Sequence, residues 1–522
     1  MKRTEAIILV LNLALQPHLL ALALQAHYQD HNDAGIYVQL SQTGLDYVTS
    51  LAQKTIPELI RNITIPDTES DGYKLGNLEI VDFSPPNISA SFLRDTGVEA
   101  RLVLPHAVIT GLFAGGFAFW SKTGRFRAQV TNLQLRMVVT FTYNETTERA
   151  DVKVPVCTGN TDDVLVMFGG GWSSVLNALR HFLAEYLTEQ LDSILCQLTM
   201  MATRLLSEEI SQQQQHQTLE EDEDMDLNAP DKVSPDLICG LDDIETSDNP
   251  RNERWQRRFS AFGIKFNLIG DPHFTDAHAM VPFHGGMTYQ GYEAPLVFRA
   301  SLYDMPWGSR MATFIVTEYP ANTFFSHVYR QGLGQVYTRL SSRDLPTLLR
   351  KSVEYFCFGC ELRMVAGLTD APTMTVTERY GVSLFLQGKV RLIFDGPFKQ
   401  FDIVAATAGV TITIRPYVEF GTLYGKLDTK TIDVHVDSVG VSGLVGNTVG
   451  KAMRFLVPKK LWPQVRRKLV FALDRKGIRL PMICGLELKE TQVQYVDHAV
   501  VISTDLLYDT TQFIKRLTAG EL

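Results

Sequence analysis

The sequence predicts an α+β protein of two similarly built halves, each made of long antiparallel strands with one helix before them and another after. Three observations predict it. The chain has 522 residues, more than one ordinary core organises, and its composition of 45% apolar and 20% charged residues is globular. Runs of strict apolar/polar alternation extend far beyond the usual five or six residues of a strand. An acidic, glutamine-rich stretch, residues 207–252, divides the chain near its middle.

Residues 1–26 combine Lys2 and Arg3, an apolar run, and the small residues Ala21, Ala23 and Ala26. That is the pattern of a cleavable export signal, read as 1–23 with the cut after Ala23 or Ala26. Asn12, Gln16, Pro17 and His18 interrupt the run, which leaves it short of the ~20 apolar residues a membrane span needs. The expected location is therefore secreted, extracellular. An oxidising compartment suits the six cysteines, and the sequons at Asn62, Asn87 and Asn144 are candidate glycosylation sites there.

In the first half, Ser41 is placed to cap a helix that carries Leu45, Val48, Ala52, Ile56 and Leu59 at helical spacing, with Pro57 expected to bend or end it. From Val130 to Phe141, the apolar Leu133, Leu135, Met137, Val139 and Phe141 alternate with their neighbours, as in a strand buried on one face. A second helix is expected from Trp172 to about Leu206, with Val175, Leu176, Leu179 and Leu183 on one stripe. At ~1.5 Å per residue it is about 50 Å long.

The linker is drawn at 207–258. Between Glu208 and Asp248 stand fourteen acidic residues and one lysine, so the remaining chain is mildly basic although the formal net charge is −9. Such composition buries too little apolar surface to order itself and reads as flexible. No lysine and arginine cluster argues for nucleic acid.

The second half repeats the order. A short helix is expected over 322–336. Long strands follow, with Ile412, Ile414, Val418 and Phe420 on one alternating face and Ile432, Val434 and Val436 on the next; a late helix over 449–473 is expected to break at Pro458 and Pro463. A long apolar helix laid along twisted strands forms a tube that is hard to fill at core density, and space left apolar accepts acyl chains; a solid core of the same residues satisfies the pattern equally. The candidate lipid-lining residues are Leu45, Val48, Ala52, Trp172, Val175, Leu176, Leu179 and Leu183 in the first half and Val328 and Met453 in the second.

Several strings carry a family resemblance: GIYVQLSQTGLDYVTSLAQK at 35–54, the Gly171–Trp172 opening of a long helix that ends at Cys196, VPKKLWPQV at 457–465, KGIRLP at 476–481 and STDLLY at 503–508. They resemble the family of bactericidal/permeability-increasing protein, lipopolysaccharide-binding protein, and the phospholipid and cholesteryl ester transfer proteins. The resemblance covers residues 35–206 and 259–509. It implies an elongated two-domain boomerang, each half a long twisted antiparallel sheet wrapped around a long helix, joined by a central sheet. One lipid-binding domain spans 35–206 and the other 286–509, with a strand and crossover in the central sheet at 259–285 and a tail at 510–522. Each domain would hold phospholipid or a related acyl lipid in one apolar pocket. The family's first-domain disulfide falls on Cys157 and Cys196, a closed loop of about 40 residues that stabilises by roughly 4 kcal/mol in the chain-entropy model.

One stretch departs from the family's endotoxin binders, whose first-domain tip is dense in basic residues. Here an aromatic tip of Phe117, Phe119 and Trp120 precedes Lys122, Arg125 and Arg127. Aromatics at a protruding tip favour insertion into a membrane or lipoprotein surface, with the cations meeting headgroups.

No catalytic, metal or cofactor site is expected. Cys357 and Cys360 have half the spacing of a zinc site with nothing to complete it, and disulfides to Cys239 and Cys484 are expected, with the pairing open. Glycines 169–171 and 446–450 lack the phosphate-loop pattern, and neither a GxSxG nor an HExxH motif occurs. His273 and His284 read as loop residues. The expected function is secreted lipid binding and transfer without catalysis, by peripheral contact with a membrane or lipoprotein. The alternative is innate-immune recognition of lipopolysaccharide.

Overall fold

The computed structural model describes residues 34–62, 68–70, 73–117, 120–169, 196, 261–294, 297–299, 302, 308–341, 361–395, 400–439, 451–482 and 486–508. The predicted helix over 172–206, apart from Cys196, and the export signal, linker and tail lie outside the described residues, as do Cys239, Cys357, Cys360 and Cys484.

The first described strand, β1 (Ile36–Ser41), leads directly into helix α1 (Gln42–Asn62). Ser41 Oγ accepts the Gly44 amide at 3.2 Å, which satisfies one of the donors orphaned at the helix start. Of the two outcomes expected at Pro57, bending or ending, α1 does not end there. Its ring removes one N–H from the ladder but locks φ at a helical value, and the helix runs on to Asn62.

The first-half sheet holds β2 (Thr68–Ser70), β3 (Tyr73–Phe83), β4 (Asn87–Leu93), β5 (Gly97–Phe117), β6 (Trp120–Asn144), β7 (Arg149–Asn160) and β8 (Asp163–Gly169). Its order is β2-β3-β5-β6-β7, with β4 beside β5 and β8 beside β6. The β5/β6 hairpin stays paired from Gly97↔Thr140 to Phe117↔Trp120, about 70 Å at 3.4 Å per residue. The predicted alternation holds at Leu133 and Leu135. It then slips, because a bulge at Val139 between the β6 and β7 pairings turns Val138 inward instead. The disulfide joins Cys157 on β7 to Cys196, with the two Cα atoms 5.9 Å apart.

After the linker come β9 (Phe262–Ile264), β10 (His273–Phe274), β11 (His278–Phe283), β12 (Met287–Tyr289), β13 (Tyr292–Glu293) and β14 (Ala312–Thr317). Helix α2 follows (Tyr319–Arg330), and then β15 (Val336–Leu340), β16 (Glu361–Leu368), β17 (Thr373–Thr377), β18 (Gly381–Asp395), β19 (Gln400–Glu419) and β20 (Thr422–Val439). The chain closes with a helix over 451–476, whose regular centre is α3 (Trp462–Val470), and with β21 (Ile478–Arg479), β22 (Leu486–Val496) and β23 (Ala499–Tyr508).

Helix α2 starts earlier than predicted because Pro320 sits in its first turn, where no N–H is needed, and it ends sooner because Gly332 takes φ 64 before β15. Phe420 leaves the alternating face for the tight turn after β19, where it is 45% exposed with φ 47. The late helix does not break at its prolines. It widens into π-turns at Val457–Leu461 and Phe471–Lys476, the first containing Pro458. A π-turn lets the helix absorb a missing donor and continue.

Within 259–285, β10 and β11 join the central sheet, while β9 pairs with β12, which in turn pairs with β13, in a small sheet of its own. That central sheet has the order β10-β11-β1-β14-β23-β22, all antiparallel, so β1 is an interior strand among strands of the second half. Both its faces are covered. Tyr37, Ile315 and Val501 pack on one side and Ile36, Phe314 and Ile502 on the other. The adjacent, antiparallel units β1–α1 and β14–α2 are counterparts, as the repeated order of the halves predicts.

Of the two histidines read as loop residues, His284 lies in the connection between β11 and β12, whereas His273 does not lie in a loop. His273 belongs to β10, and His284 is buried at the junction, with Arg299 Nη2 2.7 Å from its Nε2. Burial first, and then the Arg299 charge, lower its pKa to about 4. Beside it, Lys265 Nζ bridges Glu148 and Glu293 at 2.9 Å each and so ties the β6–β7 turn to the second half.

Candidate functional site

In the second half, strand register puts small residues where a helix must pack. Ala366, Val390, Ala406 and Val436 align across β16, β18, β19 and β20; the neighbouring row is Leu368, Gly388, Ala408 and Val434. The 451–476 helix lies over these rows and presents Val457 and Leu461 to them, both buried with Met453 and Leu456 in one cluster. Alanine and glycine on the floor cannot reach that roof. The result is a cavity of about 70 Å³ lined by Ala366, Gly388, Val390, Ala408, Val457 and Leu461 among others, at the seam between two core clusters. None of its lining residues is charged, and Gln387 is the sole amide side chain among them. An apolar space of this kind stays dry and takes hydrocarbon.

Close packing, not chance, keeps the floor low. A Cβ at Gly388 would lie 2.8 Å from the Gly367 carbonyl oxygen, and one at Gly334 would collide with Leu368. The roof is held down at its far end by Lys468, whose Nζ donates to the carbonyls of Leu333 and Gln335 at 2.9 and 3.0 Å.

Of the predicted second-half lining residues, Met453 is fully buried one turn before the cavity roof, and Val328 is buried on α2 in the neighbouring cluster; neither borders the cavity. In the first half, Leu45 is buried with Phe92, Phe274 and Ala279, so it seats α1 on the sheets. Val48 is 46% exposed and Ala52 is half-buried. Trp172, Val175, Leu176, Leu179 and Leu183 lie outside the described residues.

The tip of the β5/β6 hairpin is where the sequence placed it, with Phe117 opposite Trp120 at the last pair. The side chains of Phe117, Phe119, Trp120 and Lys122 lie outside the described residues. Phe113 and Phe126, in the same stretch, are turned into the core. Arg125 and Arg127 are exposed, and exposed Leu112 and Met167 stand opposite them on the neighbouring strands, which makes a mixed basic and apolar outer face below the tip.

Farther along the same hairpin, Glu99 is clamped by Arg101 at 2.6 Å and Arg136 at 3.0 Å. Hydrogen bonds from Arg136 and then Arg101 lower its pKa to about 2. Among the described residues no cluster of three or more His, Cys, Asp or Glu is arranged to hold a metal, and no helix is long and apolar enough to cross a membrane.

The floor row and β1 escaped sequence reading. Ala406 and Ala408, two residues apart in a long strand, and Gly388 two residues before Val390 were visible as small residues at period two. Only register shows that they line up.

The chain is similar over about nine-tenths of its length to curated proteins and to a solved structure. It is 28% identical over 508 residues to "Nose resistant to fluoxetine protein 5" of Caenorhabditis elegans, with 93% of this chain and 91% of that protein covered. It is 21% identical over 503 residues to "BPI fold-containing family C protein" of Mus musculus, with 91% and 89% covered. The crystal structure of lipopolysaccharide binding protein superposes with a TM-score of 0.51 at 14% identity, over 91% of this chain and 99% of that one. Residues 44–208 match the N-terminal domain of the LBP / BPI / CETP family and residues 257–508 its C-terminal domain. With two sheet-and-helix halves about a shared central sheet and both domains matched in order, the chain belongs to the LBP / BPI / CETP family, whose business is binding and transferring lipid.

Proposed function

We propose that the protein is secreted and carries phospholipid, one molecule in each half, between membrane or lipoprotein surfaces, without catalysis. The observation that carries this reading is the uncharged cavity between the small-residue floor and the 451–476 helix. An acyl chain is the ligand that such a surface fits, and a cavity of this volume admits the end of a chain and widens around the rest by lifting the roof. In the first half the same role falls to Trp172, Val175, Leu176, Leu179 and Leu183. The Phe117, Phe119 and Trp120 tip is the entry contact, supported by exposed Arg125 and by Leu112 and Met167 beneath it.

Native mass spectrometry of the purified protein tests the cargo. Phospholipid at two per chain is expected, and Leu179→Asp should remove one of them, because an unpaired carboxylate among acyl chains costs several kcal/mol. A folded variant that keeps both lipids sinks the assignment of the first-half pocket. The entry contact is tested by replacing Phe117, Phe119 and Trp120 together with alanine. Phospholipid transfer should fall with little dependence on salt; unchanged transfer, or binding abolished by salt alone, favours recognition of lipopolysaccharide through charge.

A further inference from the structure

The helix that roofs the cavity has a second face. From Lys451 to Leu473 the sequence contains seven basic residues and no acidic one. The π-turn at Val457–Leu461 widens the helix in mid-course, so positions on either side of it share one outward stripe: Lys451, Arg454, Phe455, Lys459, Pro463, Arg466 and Arg467 are all exposed. Phe455 is 53% exposed, and Lys459 lies over its ring at 4.8 Å. Lys451, Arg454 and Arg466 make no ion pair among the described residues.

A helix with an aromatic among lysines and arginines on one face and a buried apolar face is the form that lies in a membrane interface. Here the buried face is already spent on the cavity roof, which leaves the basic face as the docking surface. We propose that the outer face of the 451–476 helix docks on an anionic phospholipid surface, with Lys451, Arg454, Lys459 and Arg466 meeting headgroups and Phe455 entering the interface. This rests on the lipid-carrier reading and adds to it a second contact, in the opposite half from the aromatic tip. It chooses the headgroup charge of the donor or acceptor surface, and it brings the cavity roof to the surface from which lipid enters.

The test uses the full chain with vesicles of phosphatidylcholine alone and of phosphatidylcholine and phosphatidylserine in equal parts. The wild type should bind the anionic vesicles more tightly, and increasingly so at low salt. At roughly fivefold per basic side chain near an anionic surface, the variant Lys451→Ser/Arg454→Ser/Lys459→Ser should lose about a hundredfold on the anionic vesicles and nothing on the neutral ones. Lys451→Arg/Lys459→Arg should bind as the wild type does, and far-ultraviolet circular dichroism should show both variants folded. Unchanged binding of the triple serine variant to anionic vesicles overturns the proposal, as does an equal loss on both vesicles or a wild type indifferent to phosphatidylserine. Mass spectrometry of the same samples separates the two readings. A triple variant that keeps its lipid but loses anionic vesicles supports the docking face, whereas a wild type without lipid removes the carrier reading and leaves the vesicle result standing.

Discussion

The two halves share a plan and differ in what faces inward from the sheet. In the first, Leu104, Ile109, Phe113, Phe126, Val166 and Phe168 fill the described core, with Phe113 and Phe168 edge to face at 5.7 Å. In the second, the corresponding depth is given to Ala366, Gly388, Ala406 and Ala408, and the helix above cannot close the gap. One sheet is stiffened by aromatics to carry a long hairpin toward its tip. The other trades packing for space. Room for a ligand beneath the 451–476 helix is thus set by side-chain volume in two cross-strand rows.

That contrast makes the largest expected effect a deletion in the filled half. Phe113→Ala should cost about 3–5 kcal/mol, since an aromatic removed from a close-packed site leaves a cavity that collapses only in part; denaturant unfolding measures it, and a loss below about 1 kcal/mol would mean that the first-half core is not close-packed.

Next is the junction between the halves. The His284 pKa of about 4 lies below its ordinary value of 6.5. Between those values the unfolded chain binds a proton that the native one does not, so this stability is fully present above pH 6.5 and is lost as pH falls from 6.5 to 4. The loss is about 3 kcal/mol at 1.36 kcal/mol per unit. Thermal unfolding from pH 7 to 4 should show a slope that His284→Asn flattens, and an equal slope in both proteins would remove His284 as its source.

The most direct comparison places one substitution in both halves. Ala128→Leu, at a site 1% exposed beneath the aromatics, should cost about 1–3 kcal/mol by overpacking. Ala408→Leu grows into the cavity and should cost under about 1 kcal/mol while displacing one lipid of two in native mass spectra. Equal destabilisation of the two would show that the second-half floor is as tightly packed as the first. Ser41→Ala, which loses the cap on α1, should cost about 1 kcal/mol; a stability unchanged within error would show that solvent serves the Gly44 amide equally well.

The plan of the halves was legible because long alternation has one structural meaning, and Leu133, Leu135, Ile412 and Ile414 are buried as read. Ser41 was legible as a cap for the same local reason. Where several solutions satisfy one local rule, sequence reading went astray: a proline in a helix shortens it, bends it or is absorbed by a π-turn, and the chain over 451–476 took the third course. The bulge at Val139 depends on the partner strand, and so does the meeting of Ala366, Gly388 and Ala408. No periodicity within one strand reports such a row.

The position of β1 has a consequence for how the protein comes into being. Gln39 and Met280, neighbours across β1 and β11, are 241 residues apart. At 5–20 residues per second, the ribosome delivers the second strand roughly ten to fifty seconds after the first. For that interval Ile36, Tyr37 and Val38 emerge with both faces apolar and both edges unpaired, a segment prone to mispairing with other chains. The strand that joins the finished halves thus waits longest of the described strands for a partner, β11, and stands to gain from a chaperone during synthesis.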